Sequence, residues 1–507
     1  MNKKPNIILY LTDDLGYGDV SCLNEGSKVN TKNIDRMAAD GICFTDAHSS
    51  SSVCTPSRYS LMTGRYNWRS KLKSSVLPGC APPLLEEGRM TLGSMLQSAG
   101  YRTAAVGKWH LGMNWATEDG WKLPETLQEL FACDEYHIDF DKPIENGPTT
   151  KGFDYYYGMC GSLDQPPFAI IENDRICTQK PDRHIGKRGF MPSKPGACTP
   201  EDYDYGPISP DFDFQKAVPM MHDKILDLVD DYAKEDDPFF IYAPSLAVHG
   251  PLVPAEEFVG KSGIGPYGDF ILQVDDFMGV LNQKLEYLGI ADNTIVIFTS
   301  DNGCAPIIDI PNLASTTGHN PSYIFRGMKF DIWEGGHRVP FIAKWPDGIA
   351  AGQRSDQLVC LTDVFATLAD IIDVPYGDDT AEDSVSILPL LKGDDYPVRE
   401  ALVHHSGFGM YSMRSGKWKL DLCPGSGGFS YPSEQRDEVA DLTPMQLYDI
   451  SQDPGEQNNL FESHCDVVRT LRDRLASYII SGRSTPGAEQ PNYHYSAAWP
   501  GLDWMNL

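Results

Sequence analysis

Two short apolar runs in this chain end in carboxylates. Asn6-Ile7-Ile8-Leu9-Tyr10-Leu11 leads into Thr12-Asp13-Asp14, and Thr294-Ile295-Val296-Ile297-Phe298-Thr299 leads into Ser300-Asp301-Asn302-Gly303. Both read as buried strands, and sites in open α/β sheets form outside the carboxyl ends of strands. One Asp after a strand is usually a turn former or a helix cap. Three carboxylates and one amide at two such ends instead suggest a cage for a hard cation. With no thiolate or imidazole required, the donors favour Ca²⁺ or Mg²⁺ over zinc and leave those two open. Between the runs lies Cys54-Thr55-Pro56-Ser57-Arg58, followed by Leu61, Thr63 and Gly64-Arg65. An isolated cysteine is ordinarily a small buried core residue, so this stretch needs its context to be read further.

As C-T-P-S-R…L-x-T-G-R, the cysteine stretch resembles the signature of type I, formylglycine-dependent sulfatases. Gly107-Lys108-Trp109-His110-Leu111-Gly112 resembles their G-K-W-H segment, and His249-Gly250-Pro251 their H-x-P loop. Arg326-Gly327-Met328-Lys329-Phe330-Asp331-Ile332-Trp333-Glu334-Gly335-Gly336 is similar to their R-G-x-K-x-x-x-x-E-G-G block. Order and separations also fit, so the resemblance covers most of the chain. It implies that a maturation enzyme oxidises Cys54 to formylglycine. A thiol would attack sulfur and leave a stable adduct, whereas a hydrated aldehyde has one hydroxyl to attack and a second to expel the sulfate. The resemblance further implies one Ca²⁺ held by Asp13, Asp14, Asp301, Asn302 and the residue at Cys54. Arg58, Lys108, His110, His249 and Lys329 complete the implied sulfate pocket.

A lone Lys or His on a loop is ordinarily a solvated surface residue, and Trp109 and Trp333 read as packing beside the motifs. Together, however, the set is complete for cleaving a sulfate monoester. Arg58, Lys108 and Lys329 supply permanent charge, while His110 and His249 titrate near neutrality and can act as base and acid. Resemblance to sugar 6-sulfatases implies a sulfated sugar at a chain end, of the 6-O-sulfated galactose or N-acetylgalactosamine type. An aryl or steroid sulfate is the alternative. Two rivals are a phosphoesterase of the same superfamily, against which Cys54 argues, and a non-catalytic binder of anionic glycans.

The 507 residues can bury a large core, with 41% hydrophobic content and Gly/Pro-rich connections typical of a globular α/β chain. A formal net charge of −29 disfavours nucleic acid and anionic membranes as partners. No stretch approaches a membrane span. Met1-Asn2-Lys3-Lys4-Pro5 runs straight into the first strand, leaving no room for a signal peptide's apolar region. The expectation is a cytoplasmic protein, or a periplasmic or secreted one had a leader been removed. Twelve scattered cysteines without a C-x-x-C pair read as reduced thiols. Nothing in the sequence specifies an oligomeric state.

The elements that must position these residues alternate between strand and helix to about residue 375. Strand-like runs fall at 6–11, 102–106, 239–243, 294–299 and 340–344; helix-like stretches fall at 31–40, 90–99, 216–234, 269–288 and 361–373. This alternation predicts a largely parallel sheet covered on both faces, and the resemblance implies an alkaline-phosphatase-like large mixed sheet flanked by helices. An acidic, loop-like stretch at 373–384 predicts a boundary, dividing a catalytic domain at 1–380 from a smaller C-terminal α+β domain at 381–507. The latter has antiparallel strands at 401–403, 411–414 and 417–420 and a closing helix at 467–480. The weakly periodic segment 125–219 reads as an insert that shapes substrate recognition. Asp164, Gln165 and His184 within it, and His319 beyond it, are the candidate sugar-hydroxyl partners.

Overall fold

The computed structural model describes residues 3–122, 124, 129–130, 137–186, 205–436, 438–493, 499 and 501–506. Its centre is a ten-stranded mixed sheet. Five adjacent strands run parallel: Thr294–Ser300, Asn6–Thr12, Phe239–Pro244, Arg102–Lys108 and Tyr155–Met159. Beyond Thr294–Ser300, the Phe341–Lys344 strand is antiparallel and hands on to Ile42–Phe44 and Gln353–Ser355. A short hairpin, Ile171–Glu172 with Arg175–Ile176, closes the other edge.

The apolar runs are continuous rather than alternating because both faces of the sheet are covered. Along Asn6–Thr12, Ile7, Leu9 and Leu11 enter one core while Ile8 and Tyr10 enter the other. The first core is completed by Tyr59, Leu61 and Met62 of the Cys54–Thr63 helix and by Val364, Phe365 and Leu368 of Asp363–Ile371. The second takes Ile34 and Met37 from Lys32–Ala39, Val218, Met221 and Ile225 from Phe214–Tyr232, and Phe270, Val274 and Phe277 from Pro266–Tyr287. All the central parallel strands therefore point their carboxyl ends the same way.

A separate four-stranded antiparallel sheet follows, ordered Leu402–His405, Tyr411–Ser415, Trp418–Asp421 and Gln446–Asp449. The Cys465–Ser481 helix packs Leu471, Leu475 and Ile479 onto Leu402, Met413 and Leu420. Tyr66 and Trp68 from the larger part join this core. Part of the 125–219 insert is regular: Tyr155–Met159 extends the main sheet, and Arg183–Ile185 pairs with Gly206–Ile208. Among the described residues, no helix is long and apolar enough to cross a membrane.

Candidate active site

The register of the two central strands sets the cage. Thr12 pairs with Ser300, so Asp13-Asp14 and Asp301-Asn302 emerge side by side. The Asp14 amide donates to Asp301 Oδ1 at 3.2 Å, and Asn302 Nδ2 donates to Asp14 Oδ1 at 2.7 Å. Lys108 ends the Arg102–Lys108 strand and pairs with Asp13 Oδ2 at 2.7 Å. Lys329 reaches Asp14 Oδ1 at 2.7 Å from the opposite direction of the chain.

Cys54 is the first residue of the Cys54–Thr63 helix, and Arg58 lies one turn on, stacked over the same face. The fully buried Arg58 donates from Nε and Nη2 to Asp301 Oδ2 at 3.0 and 2.7 Å, and from Nη1 to the Lys108 carbonyl at 3.0 Å. Ligand atoms of Asp13, Cys54 and Asp301 lie within 4.8 Å of one another, as do those of Asp13, Asp14 and His249. Three buried carboxylates thus face three buried cations.

Burial would raise the Asp13 carboxyl, but Lys108, His249, Arg58 and Lys329 hold it well below the usual carboxylate range. Asp301 goes the other way, to about 6, because burial and the Asp13 charge outweigh Arg58 and Lys108. Burial pushes the Cys54 thiol up. It also drives His110 well below the ordinary imidazole value, helped by Lys108 and Arg58, so the neutral ring is favoured. Its Nε2 meets the Leu77 carbonyl at 2.7 Å, and its Nδ1 is buried with no hydrogen-bond partner. His249 Nδ1 donates to the Gly250 carbonyl at 2.7 Å, leaving Nε2 3.5 Å from Asp14 Oδ2.

Asp13 Oδ1 and Asn302 Oδ1 are buried without a hydrogen-bond partner. Orphaned buried oxygens are costly unless something absent from the polypeptide satisfies them. An all-oxygen set of Asp13, Asp14, Asp301 and Asn302 suits a hard divalent cation of the calcium type. The residues present therefore fit the metal that the sequence implied.

Of the recognition candidates, Asp164 and Gln165 reach this pocket. Asp164 Oδ1 is 3.8 Å from His249 Nδ1, Gln165 Nε2 donates to the same Leu77 carbonyl that meets His110, and Asp164 Oδ1 and Gln165 Oε1 have no hydrogen-bond partner. His184 is exposed, with its ring stacked on Tyr205 at 5.1 Å. Its neighbours Arg183 and Ile185 line a cleft of about 740 Å³ shared with Leu252, Val253 and Pro254, just beyond the His249 loop. His319 corrects the sequence expectation. It is fully buried, Nε2 pairs with Asp19 Oδ1 at 2.8 Å, and Nδ1 accepts from the Lys28 amide at 3.2 Å. Both ring nitrogens are spent inside the fold, leaving none for a sugar hydroxyl. Ser162, whose hydroxyl donates to Asp13 Oδ2 at 3.2 Å, escaped the reading because one serine in an irregular segment carries no pattern.

A family model described as "Sulfatase" matches residues 5–374. An N-acetylgalactosamine-6-O-sulfatase of Bacteroides thetaiotaomicron is 34% identical, with 94% of this chain and 93% of that protein covered. Human arylsulfatase A is 31% identical over 90% of this chain and 83% of its own length. A solved sulfatase structure described with glycosaminoglycan metabolism by B. thetaiotaomicron superposes at a TM-score of 0.79. It is 32% identical, covering 94% of this chain and 99% of that one.

Proposed function

The chain belongs to the sulfatase family of sulfuric ester hydrolases, with its alkaline-phosphatase-like fold, and on that premise we propose that it removes sulfate from a sugar. The substrate we assign is a terminal 6-O-sulfated N-acetylgalactosamine or galactose, cleaved at the S–O bond. The observation that carries the reading is the convergence of Cys54, Asp13 and Asp301 within 4.8 Å, with Arg58 clamped on Asp301. The N-acetylgalactosamine-6-O-sulfatase at 34% identity supports the sugar and the position. Orphaned acceptors on Asp164 and Gln165 support a hydroxyl-rich leaving group over an aryl one.

Asp13, Asp14, Asp301 and Asn302 would hold Ca²⁺, with position 54 completing the set. When present, Ca²⁺ supplies Lewis-acid charge and a formylglycine at position 54 supplies the paired hydroxyls of a hydrated aldehyde. The unmodified thiol is a poor alternative, because burial keeps it protonated. Arg58, Lys108 and Lys329 bind the non-bridging sulfate oxygens and stabilise charge that builds on them. Asp301, within 4.8 Å of position 54, accepts the nucleophile's proton, and neutral His110 takes the second one. His249 protonates the departing sugar oxygen, assisted by Lys329. The 1–380 part carries every one of these groups, and in our division the 381–507 part serves the site through its loops.

Desulfation measured across defined sulfated mono- and disaccharides, with an aryl sulfate alongside, tests the reading. Turnover of 6-O-sulfated N-acetylgalactosamine or galactose is expected. Turnover confined to aryl or steroid sulfates would move the assignment to the alternative.

A further inference from the structure

Three phenylalanines from separate loops meet directly beside the catalytic lysine. Phe330 follows Lys329, Phe408 follows the Leu402–His405 strand, and Phe429 lies on the loop between Trp418–Asp421 and Gln446–Asp449. Their ring centroids are 5.5 Å apart for Phe330 and Phe408, 4.8 Å for Phe330 and Phe429, and 5.0 Å for Phe408 and Phe429. Each is only half-buried, so the trio does not finish inside the core.

The surrounding chain is built to hold it there. Phe330 has φ +78°, a left-handed conformation that a bulky side chain adopts only when its surroundings impose it. Its amide donates to the Ser52 carbonyl at 2.8 Å, two residues before Cys54, and its carbonyl accepts from the Gly407 amide at 3.0 Å. A Cβ at 407 would lie 2.1 Å from Phe330 Cδ1, and one at 428 would lie 2.7 Å from the Phe330 carbonyl carbon. Glycines at both positions let the two C-terminal loops close onto Phe330. Ser430 fixes the second loop by donating to Asp331 from its amide, at 3.1 Å, and its hydroxyl.

We propose that Phe330, Phe408 and Phe429, whose rings meet at 32°, 60° and 88°, form an aromatic cluster that offers one ring face as a platform for the pyranose ring of the sulfated substrate. This rests on the sugar-sulfate reading above and adds the subsite that binds the ring itself. A pyranose has one face of C–H groups, whose positive edges suit the negative face of an aromatic ring. The platform also gives the C-terminal sheet a role in recognition, since two of its three rings come from there.

The test uses Phe408→Ala, Phe429→Leu and the double variant on full-length active protein, with 6-O-sulfated N-acetylgalactosamine as substrate. KM should rise about three- to tenfold for each ring lost, with kcat little changed. Phe429→Trp should restore wild-type KM, because the subsite needs an aromatic face rather than bulk. Unsulfated N-acetylgalactosamine with wild-type protein gives a second measurement that needs no variant to fold. Saturation transfer from aromatic protons should mark the C–H groups of one face of the sugar. Unchanged KM in the folded double variant, or no transfer, would overturn the platform while sugar-sulfate turnover by wild-type protein still upheld the sulfatase reading. Wild-type protein that turned over no sugar sulfate would overturn both.

Discussion

Two clusters of buried charge can be set side by side. Around Cys54, three carboxylates face Arg58, Lys108 and Lys329. Where the main sheet meets the C-terminal sheet, Asp46, Glu334, Asp421 and Glu456 face Arg338, Arg414 and Lys419, with His48, His337 and His404 packed among them. Each brings potential metal-binding side chains together. In the first, the donors sit on loops at strand ends beside Cys54; buried polar atoms without a hydrogen-bond partner occur in both, Asp13 Oδ1 and Asn302 Oδ1 in the first, Glu334 Oε1, both Asp421 oxygens and both His404 nitrogens in the second. In the second, cations from the C-terminal sheet reach across to carboxylates of the larger part: Arg414 to Asp46 at 3.2 Å, Lys419 to Glu334 at 3.3 Å. Its His337 and His404 rings stack at 3.7 Å and 12°, so their in-plane lone pairs do not aim at one point. Buried charge thus takes two arrangements, gathered around Cys54 at the strand ends in one case and joining two sheets in the other.

The sharpest break between the two should come from Asp301→Asn. Losing that charge should cut kcat by about a thousandfold or more. Tm should fall by less than the lost activity requires, although the buried Arg58 loses its charged partner. A fall in Tm that accounted for the lost activity would make the cage structural instead. Lys419→Met is the mirror experiment. It takes the shared cation away from Glu334, Asp421 and Glu456, of which Glu334 keeps Arg338, and should cost about 3–5 kcal/mol in denaturant unfolding, while kcat per folded molecule stays near wild type. A selective loss of kcat would bring this cluster into the catalytic account.

Within the first cluster, His249→Ala should slow a sugar sulfate by about a hundredfold or more. A nitrophenyl sulfate, whose leaving group needs no proton, should slow far less. Equal losses on both would make His249 a sulfate binder. The smallest effect belongs to Glu456, whose carboxyl is pushed from 4.5 to about 8 by burial and by Asp421 and Glu334, against the pull of Lys419. The folded state therefore holds this proton more tightly than the unfolded chain. Its stabilising contribution is complete below 4.5 and is lost as pH rises through about 8. Glu456→Gln should flatten that decline in a Tm-against-pH series, and an unchanged slope would assign it to other groups.

The convergence of residues around Cys54 was legible in the sequence because they follow long apolar runs or sit inside multi-residue motifs. The five strand runs and the helix at 216–234, observed as Phe214–Tyr232, were readable for the same reason: burial on both faces or on one stripe leaves a pattern. The Cys54–Thr63 helix was not, since every residue in it is buried and no face alternates with solvent. Three-residue strands such as Ile42–Phe44 and Gln353–Ser355 are too short to carry a period. The joint cluster was invisible as well. His48, Glu334, His404 and Lys419 are hundreds of residues apart in part, and only the pairing of sheets brings them together. His319 misled because a histidine near a motif looks alike whether it meets a ligand or a buried Asp19.

The central claim is that chemistry at position 54 depends on its conversion from cysteine. Peptide mass spectrometry of that position, read against turnover in preparations made with differing amounts of a maturation enzyme, addresses it most directly. Conversion exchanges sulfur for oxygen and removes two hydrogens, so the two forms separate by mass. Turnover should rise in proportion to the converted fraction and vanish in protein that is entirely thiol. Full turnover by all-thiol protein would contradict the account.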